Sequence, residues 1–284
     1  MAYLTRSDII KINAIRGETL LLEGIDLKDI DLNTLNLRGA NLQGTDLRRA
    51  NLQRTDLQEA NLQETDLRGA NLQGAGLRKS NLQGTDLRGA NLRGADFGGA
   101  NLQEVNFIEV NLVGARLIEA NLAKAIFTET SNEGIDLWQC NLTGANFQNS
   151  NLKGAQLNSA KLEGSDFSKA NLEGISLNKT NLQEAILERA NLTAANIRDV
   201  NLRRANLRKA NLKGADFLRI KLEGANLEGV NLESARVVGP NWIEELKEWN
   251  VEGYEEINKN YILVSDGGHT YGKATYKFQL KKPK

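Results

Sequence analysis

The chain has 284 residues, 36 basic and 36 acidic side chains, 40% hydrophobic residues and a mean hydropathy of −0.45, the balance of a soluble protein. No apolar run reaches the length of a membrane span, and the start, Met1-Ala2-Tyr3-Leu4-Thr5-Arg6-Ser7-Asp8, has no signal-peptide core, so the cytoplasm is the expected compartment and no membrane partner is expected. One cysteine excludes an intramolecular disulfide, and one histidine, His269, leaves no Cys/His/Asp cluster with metal-ligand spacing.

Residues 1–19 are expected to form an N-terminal helical cap. Ser7 is placed to N-cap a helix over 8–16, and Gly17 suits its C-terminus. Ile9, Ile10, Ile12 and Ile15 would cover the segment that follows.

That segment, 20–239, is a pentapeptide register of 44 consecutive units without insertion or deletion. Its unit reads A-N/D-L-x-x, as in Ala50-Asn51-Leu52-Gln53-Arg54. The central residue is Leu, Phe, Ile or Val in every unit but one, the exception being Asn132. The position two before it is Ala in most units, and otherwise Ser, Thr, Val, Ile, Leu or Cys. A period of five fits neither a helix nor a flat strand. A chain that points two of every five side chains inward must turn a corner every five residues, and four corners close a 20-residue coil. The 44 units then give 11 coils, stacked at about 4.8 Å into a rod roughly 50 Å long.

These residues resemble the pentapeptide-repeat family, in its cyanobacterial type, over about three quarters of the chain. The resemblance implies an all-β solenoid, a right-handed quadrilateral β-helix. For function it implies a binding or scaffolding protein. Some members resemble DNA mimics that protect gyrase, and others resemble regulators of differentiation in cyanobacteria.

Grouping the register by twenty aligns Phe107, Phe127, Phe147 and Phe167 on one face, with Phe97 and Phe217 on the opposite one. These read as core packing without a ligand channel, so no cofactor is expected. Cys140 occupies the small inward position and reads as buried. Residues 20–239 carry 26 basic and 27 acidic side chains, a net of −1. Arg203, Arg204, Arg208, Lys209, Lys213 and Arg219 ring one coil. Glu223, Glu228 and Glu233 one coil above are placed to neutralise them, against the rival reading of a nucleic-acid belt. Arg48, Arg68 and Arg88 are likewise answered by Asp46, Asp66 and Asp86.

Outward positions are mostly Gln, Arg, Glu, Lys and Gly. Ile108, Val113 and Ile118 depart from this on three successive faces of one coil. Trp138 lies one coil above Ile118, Gly98 and Gly99 one coil below, and Ile126 on a neighbouring face. The broken unit, Thr130-Ser131-Asn132-Glu133-Gly134, belongs to the coil of Trp138. A buried Asn has no guaranteed partner, so the chain is expected to bulge outward there. Ile108, Val113, Ile118, Asn132, Glu133 and Trp138 form the candidate partner-binding surface. The rival reading is that they pack beneath the loop.

Residues 240–284 hold two of the three Trp and four of the five Tyr. Asn241 can cap a helix, with Glu244 placed for a capping box, and Trp242, Ile243, Leu246 and Trp249 form its apolar side. Asn260–Ser265 reads as a strand, Asp266–His269 as a turn and Gly272–Lys281 as a second strand. In the latter Ala274, Tyr276, Phe278 and Leu280 alternate with Lys273, Thr275, Lys277 and Gln279. This small α+β segment is either a cap or a separate recognition module.

The expectation is a non-catalytic scaffold or regulator that binds an unidentified protein, as a monomer rather than an end-to-end dimer and without nucleic acid. The alternative is a gyrase-protecting DNA mimic. The neutral rod and the covered end argue against it, since a DNA mimic needs a strong negative field.

Overall fold

In the computed structural model the residues described are 4–13, 20–128, 132, 134–270 and 273–281. Parallel bridges join residues twenty apart, beginning with Leu21 to Asn41, Asp26 to Asp46, Asp31 to Asn51 and Asn36 to Asp56, and continuing to Asp216 with Arg236. Each twenty-residue coil therefore contributes to four ladders, and the chain winds as a right-handed β-helix.

One unit shows why the repeat has its composition. The Ala40 amide closes a turn on the Leu37 carbonyl at 3.0 Å, and the Asn41 amide reaches back to Leu20 O at 2.8 Å. Leu42 and Gly44 donate forward to Asn61 O and Gln63 O at 2.7 and 2.9 Å. The remaining amide, Gln43, donates to the Asn41 side chain, Oδ1, at 3.2 Å. All five donors are thus satisfied, and Asn or Asp is the residue whose short side chain reaches the amide two positions on. The same bond recurs at Arg48 on Asp46, Gln58 on Asp56 and Gln63 on Asn61.

Only the second central residue of each turn has positive φ, the type II pattern. Gly44 takes it at 62°, but Arg54 and Glu59 take it at 54° and 60°. That conformation costs a non-glycine residue about 1 kcal/mol, offset here by the bond each such amide makes to the next coil.

Outside the core, stacked Asn side chains link coils. Asn61 Nδ2 donates to Asn41 Oδ1 at 3.1 Å, and Asn81, Asn101, Asn121 and Asn141 continue the column. An Asp column cannot donate to itself, and arginines stand between its members. Arg48 Nε lies 2.9 Å from Asp46 and 3.6 Å from Asp66, and Arg68 bridges Asp66 and Asp86 in the same way.

The interior is filled by the central Leu and Phe side chains. Rings Phe107, Phe127, Phe147 and Phe167 stack at centroid spacings of 4.5, 4.6 and 4.8 Å, while Phe97 and Phe217 are buried on the opposite face. Inward hydroxyls find carbonyls: Thr45, Thr65 and Thr85 donate to Leu22, Leu42 and Leu62 O at 2.8 Å.

At the N-terminal end, α1 spans Arg6–Asn13. Its cap is Thr5, not Ser7, which lies within the helix. The Thr5 amide and hydroxyl donate to Asp8 Oδ2 at 2.9 and 2.6 Å, and the Asp8 amide donates to Thr5 Oγ1 at 3.3 Å. Ile9 is buried, whereas Ile10 and Ile12 are exposed, so only one of these three isoleucines covers the coil. Arg6 donates to the carbonyls of Asp31 and Asn33 at 3.0 and 2.9 Å, two acceptors that no preceding coil exists to satisfy. Ile15, Gly17 and the expected helix end lie outside the described residues.

The C-terminal segment comprises β1 (Arg236–Val238), α2 (Trp242–Glu248), α3 (Tyr254–Asn260), β2 (Tyr261–Thr270) and β3 (Lys273–Leu280). The strands form an antiparallel sheet in the order β1-β3-β2. The apolar side of α2 is buried as expected at Trp242, Ile243 and Leu246. Its capping box does not form: Asn241 sits at φ −97°, ψ 15° without a side-chain cap bond, away from the extended conformation that aims a capping side chain. The α3 helix was not anticipated.

The expected turn at Asp266–His269 is part of β2, where the register shifts between Ser265 and His269. Asp266 fixes this irregularity by accepting from Gly268 N at 2.9 Å, Thr275 Oγ1 at 2.5 Å and Arg236 Nε at 2.8 Å. Those bonds bury Thr275, and Leu280 at the strand end is exposed, so burial along β3 departs from simple alternation.

This segment answers donors that the last coil would otherwise leave open. Gly224 N donates to Trp249 O at 2.9 Å, Leu227 N to Glu252 O at 2.8 Å and Ser234 N to Phe278 O at 2.9 Å. Gly229 N donates to Glu256 Oε2 at 3.0 Å and Leu232 N to the Tyr261 hydroxyl oxygen at 3.2 Å.

Candidate protein-binding surface

Val113 and Trp138 are 63% and 40% exposed, the largest apolar exposures among the described residues in the middle of the rod, with Ile186 at 37% further along it. Ile108, Ile118 and Ile126 are half-buried. Asn132 corrects the expected outward bulge. It keeps the inward register, is 3% exposed, donates its amide to Asn151 O at 2.8 Å and accepts from Ile135 N at 3.2 Å. Staying in the ladder preserves backbone bonds that a bulge would break. Glu133 and Thr130–Ser131 lie outside the described residues.

The two coils part slightly here. The Glu119 amide reaches Trp138 O at 3.3 Å, against about 2.9 Å for most rungs of this kind. Val110, Ala115 and Ile135 are 5–7% exposed, where most inward positions are sealed. A surface cavity of about 490 Å³ opens between Val113–Arg116 on one coil and Asn132, Gly134, Ile135 and Asp136 on the next. A second, of about 280 Å³, lies over Gly98 and Gly99, between Arg78 and Ile118.

Arg116 lines both cavities and was not singled out from the sequence. Its signal was there, since it stands where most units have Asn or Asp. It cannot supply the acceptor that caps the amide two residues on. It is exposed and has no carboxylate at ion-pair distance among the described residues. Beside it Gly74, Gly94, Gly114, Gly134, Gly154 and Gly174 occupy one turn position in six successive coils, leaving that corner bare.

The other departures are structural. Five of the six side chains of the basic ring are paired: Arg203–Glu223 at 2.8 Å, Arg208–Glu228 at 3.0 Å and Lys213–Glu233 at 3.0 Å with the coil above, and Arg204–Glu184 at 3.1 Å and Arg219–Asp199 with the coil below. Cys140 is buried and donates to Leu117 O at 2.9 Å, and burial pushes its thiol up to about 12. No group of three or more His, Cys, Asp or Glu side chains among the described residues could hold a metal ion. No described helix is long and apolar enough to cross a membrane.

A family model for pentapeptide repeats matches in eight copies, over stretches that together span 21–131 and 133–168, breaking at Asn132. The chain belongs to the pentapeptide-repeat family. A second model, the pentapeptide repeat region, matches 156–232. Among solved structures the chain is similar to the pentapeptide-repeat protein HetL of the cyanobacterium Nostoc sp. strain PCC 7120, described as involved in heterocyst differentiation regulation. The identity is 29%, with 82% of this chain and 97% of HetL covered and a TM-score of 0.55. It also matches the pentapeptide-repeat protein Rfr23 of the cyanobacterium Cyanothece 51142, at 36% identity over 34% of this chain and 83% of that one, with a TM-score of 0.31. QnrB1, a plasmid-mediated fluoroquinolone resistance protein, matches at 19% identity over 81% of this chain and 95% of its own, with a TM-score of 0.26. Comparison with curated proteins returned no significant match.

Proposed function

We propose that this pentapeptide-repeat protein is a non-catalytic cytoplasmic scaffold or regulator: a monomeric rod of 11 coils, capped by α1 at one end and by α2 to β3 at the other. It binds a partner protein through the surface around Val113, Ile118 and Trp138. The observation that carries this reading is the exposure of Val113 and Trp138 beside a parted coil seam, on a rod whose other outward positions are mostly polar. Exposed aromatic anchors next to a concavity commonly dominate protein binding. The bare glycine corner lets a partner approach closely. The regulatory role described for HetL, at 29% identity, supports the same class of function.

The gyrase-protecting alternative is disfavoured by the repeat's net charge of −1 and by the covered donors of the last coil.

Both side chains can be changed without emptying the core. Immobilised wild-type protein and a Val113→Thr/Trp138→Gln variant, presented to extract of the native cell, should differ in one discrete, saturable partner. A Gln83→Ala variant on a polar face should retain it. Equal capture by all three proteins overturns the assignment of this surface.

A further inference from the structure

The segment that covers the rod's end has an edge of its own, because β2 is the outer strand of the sheet. Phe278 donates its amide to Ala235 O and accepts from Ser234 N, both at 2.9 Å, so the even-numbered residues of β3 face β1. The Lys281 amide reaches Asn260 O at 2.8 Å, so the odd-numbered residues face β2. Ile262 and Val264, opposite Gln279 and Lys277, therefore bond to β3, and Tyr261, Leu263 and Ser265 turn their backbone groups away from the sheet. The Tyr261 amide returns to Ile257 O. Those of Leu263 and Ser265, turned away from β3, meet no backbone acceptor outside the sheet among the described residues. Tyr261–Ser265 contains no charge and no proline, and the bulge lies beyond it, so the usual devices that blunt an edge are missing.

Strand alternation puts Lys273, Lys277 and Lys281 on the face of β3 opposite Tyr276 and Phe278. All three lysines are exposed, and none has a carboxylate at ion-pair distance among the described residues. Lys281 Nζ, however, donates to Asn258 O at 2.6 Å and Lys273 lies toward Trp242 and Glu245, so Lys277, opposite Val264, is the lysine beside the edge. Arg236 on the same face is already taken by Asp266 and Asp216. Ile262, 44% exposed, and Val264 lie between this row and the free edge.

We propose that β2 is a docking edge for an acidic, extended segment of a partner protein, which adds as a fourth strand. The outward backbone groups at Leu263 and Ser265 pair with it. Lys277 reaches across Val264 to a carboxylate of the added strand. A second copy of this chain suits the edge less well. Its own Tyr261–Ser265 offers no carboxylate, and five residues a side fall far short of the ~800 Å² per partner of a stable interface. A nucleic acid would answer the lysines and leave the edge carbonyls unpaired. This surface lies five coils from Trp138, about 24 Å along the rod, and stands or falls independently of that one.

The test measures fluorescence anisotropy of the full chain with three labelled probes: an end-blocked (Val-Glu)4 peptide, the matching (Val-Lys)4 peptide and a 12-nucleotide oligothymidine. The acidic peptide should bind, more weakly as salt rises. A Lys277→Glu variant should lose about tenfold or more in affinity. Ser265→Pro, which removes an outward amide at an exposed position and keeps every lysine, should lose a comparable factor. Trp138→Gln should change nothing. The proposal is overturned if wild-type protein does not bind the acidic peptide, if the lysine peptide or the oligonucleotide binds as tightly, or if the charge-reversal variant, folded by its tryptophan emission, binds unchanged.

Discussion

The Tyr261 hydroxyl oxygen accepts the amide hydrogen of Leu232 at 3.2 Å, in a buried setting, so a side chain 29 residues away stands in for the carbonyl of a coil that does not exist. Along the repeat the equivalent amides find that acceptor one coil further on, as Leu212 does at Asn231 O. The C-terminal segment is in this sense a substitute coil. Tyr261→Phe keeps the ring, which packs on Phe278 at 5.7 Å, and removes only the acceptor. A buried amide without a partner costs about 1–3 kcal/mol. The variant should unfold at correspondingly lower denaturant, and hydrogen exchange should quicken at Leu232. Unchanged exchange there would show that water replaces the hydroxyl freely.

The phenylalanine column makes a prediction of a different size. Phe127 is fully buried and stacks at 4.5 and 4.6 Å between Phe107 and Phe147. Phe127→Ala should cost about 3–5 kcal/mol, since neighbouring coils are held apart by their own backbone ladders and cannot collapse into the gap. Chemical denaturation measures this. A loss below about 1 kcal/mol would mean that the coils repack around the missing ring.

Much of this architecture was legible because an unbroken period of five leaves few ways to bury two side chains per unit. The Phe107 to Phe167 column followed directly from grouping by twenty. What hydrophobic periodicity does not register is local hydrogen bonding. The Asn41 to Gln43 bond explains the second position of the unit, yet it is invisible to a pattern of apolar residues. Asn132 was located correctly and its consequence misjudged, because the side chain was weighed without the backbone bonds to Asn151 and Ile135 that hold it in register. Asp266-Gly267-Gly268 looks like turn chemistry. Thr275 and Arg236, distant in sequence, convert it into an irregularity inside β2. Val113 and Trp138 stood out as departures from a polar rule, whereas Arg116 departs from the Asn/Asp rule, whose physical basis needed the structure.

Cys140 should be inert. Its sulfur is buried and donates to the Leu117 carbonyl, and burial raises the thiol to about 12, far above the range in which thiolate forms near neutral pH. A chromogenic disulfide reagent at mildly alkaline pH should leave native protein unmodified and titrate one thiol per chain after denaturation. Rapid reaction of the native protein would mean that the coil around Leu137–Cys140 opens locally.

The last prediction concerns pH. Asp266 accepts from the Thr275 hydroxyl, the Gly268 amide and the Arg236 guanidinium, and these bonds hold its carboxyl down to about 2, below the ordinary 3.8. A folded-state value below the unfolded one means that acid protonates the unfolded chain first. The carboxylate's contribution is therefore complete above the unfolded value and is lost as pH falls from about 4 toward 2. Asp266→Asn keeps an oxygen for Thr275 and Gly268 and abolishes the charge that Arg236 meets. Its melting temperature should lie below that of the wild type at neutral pH, and the two should converge toward about pH 2. Trp242 reports the transition, because its ring lies 5.3 Å from Phe278 in the strand that Asp266 anchors through Thr275. A gap that stays constant through the acid range would show that the geometry of the bulge, rather than the charge of Asp266, holds the terminal strands on the rod.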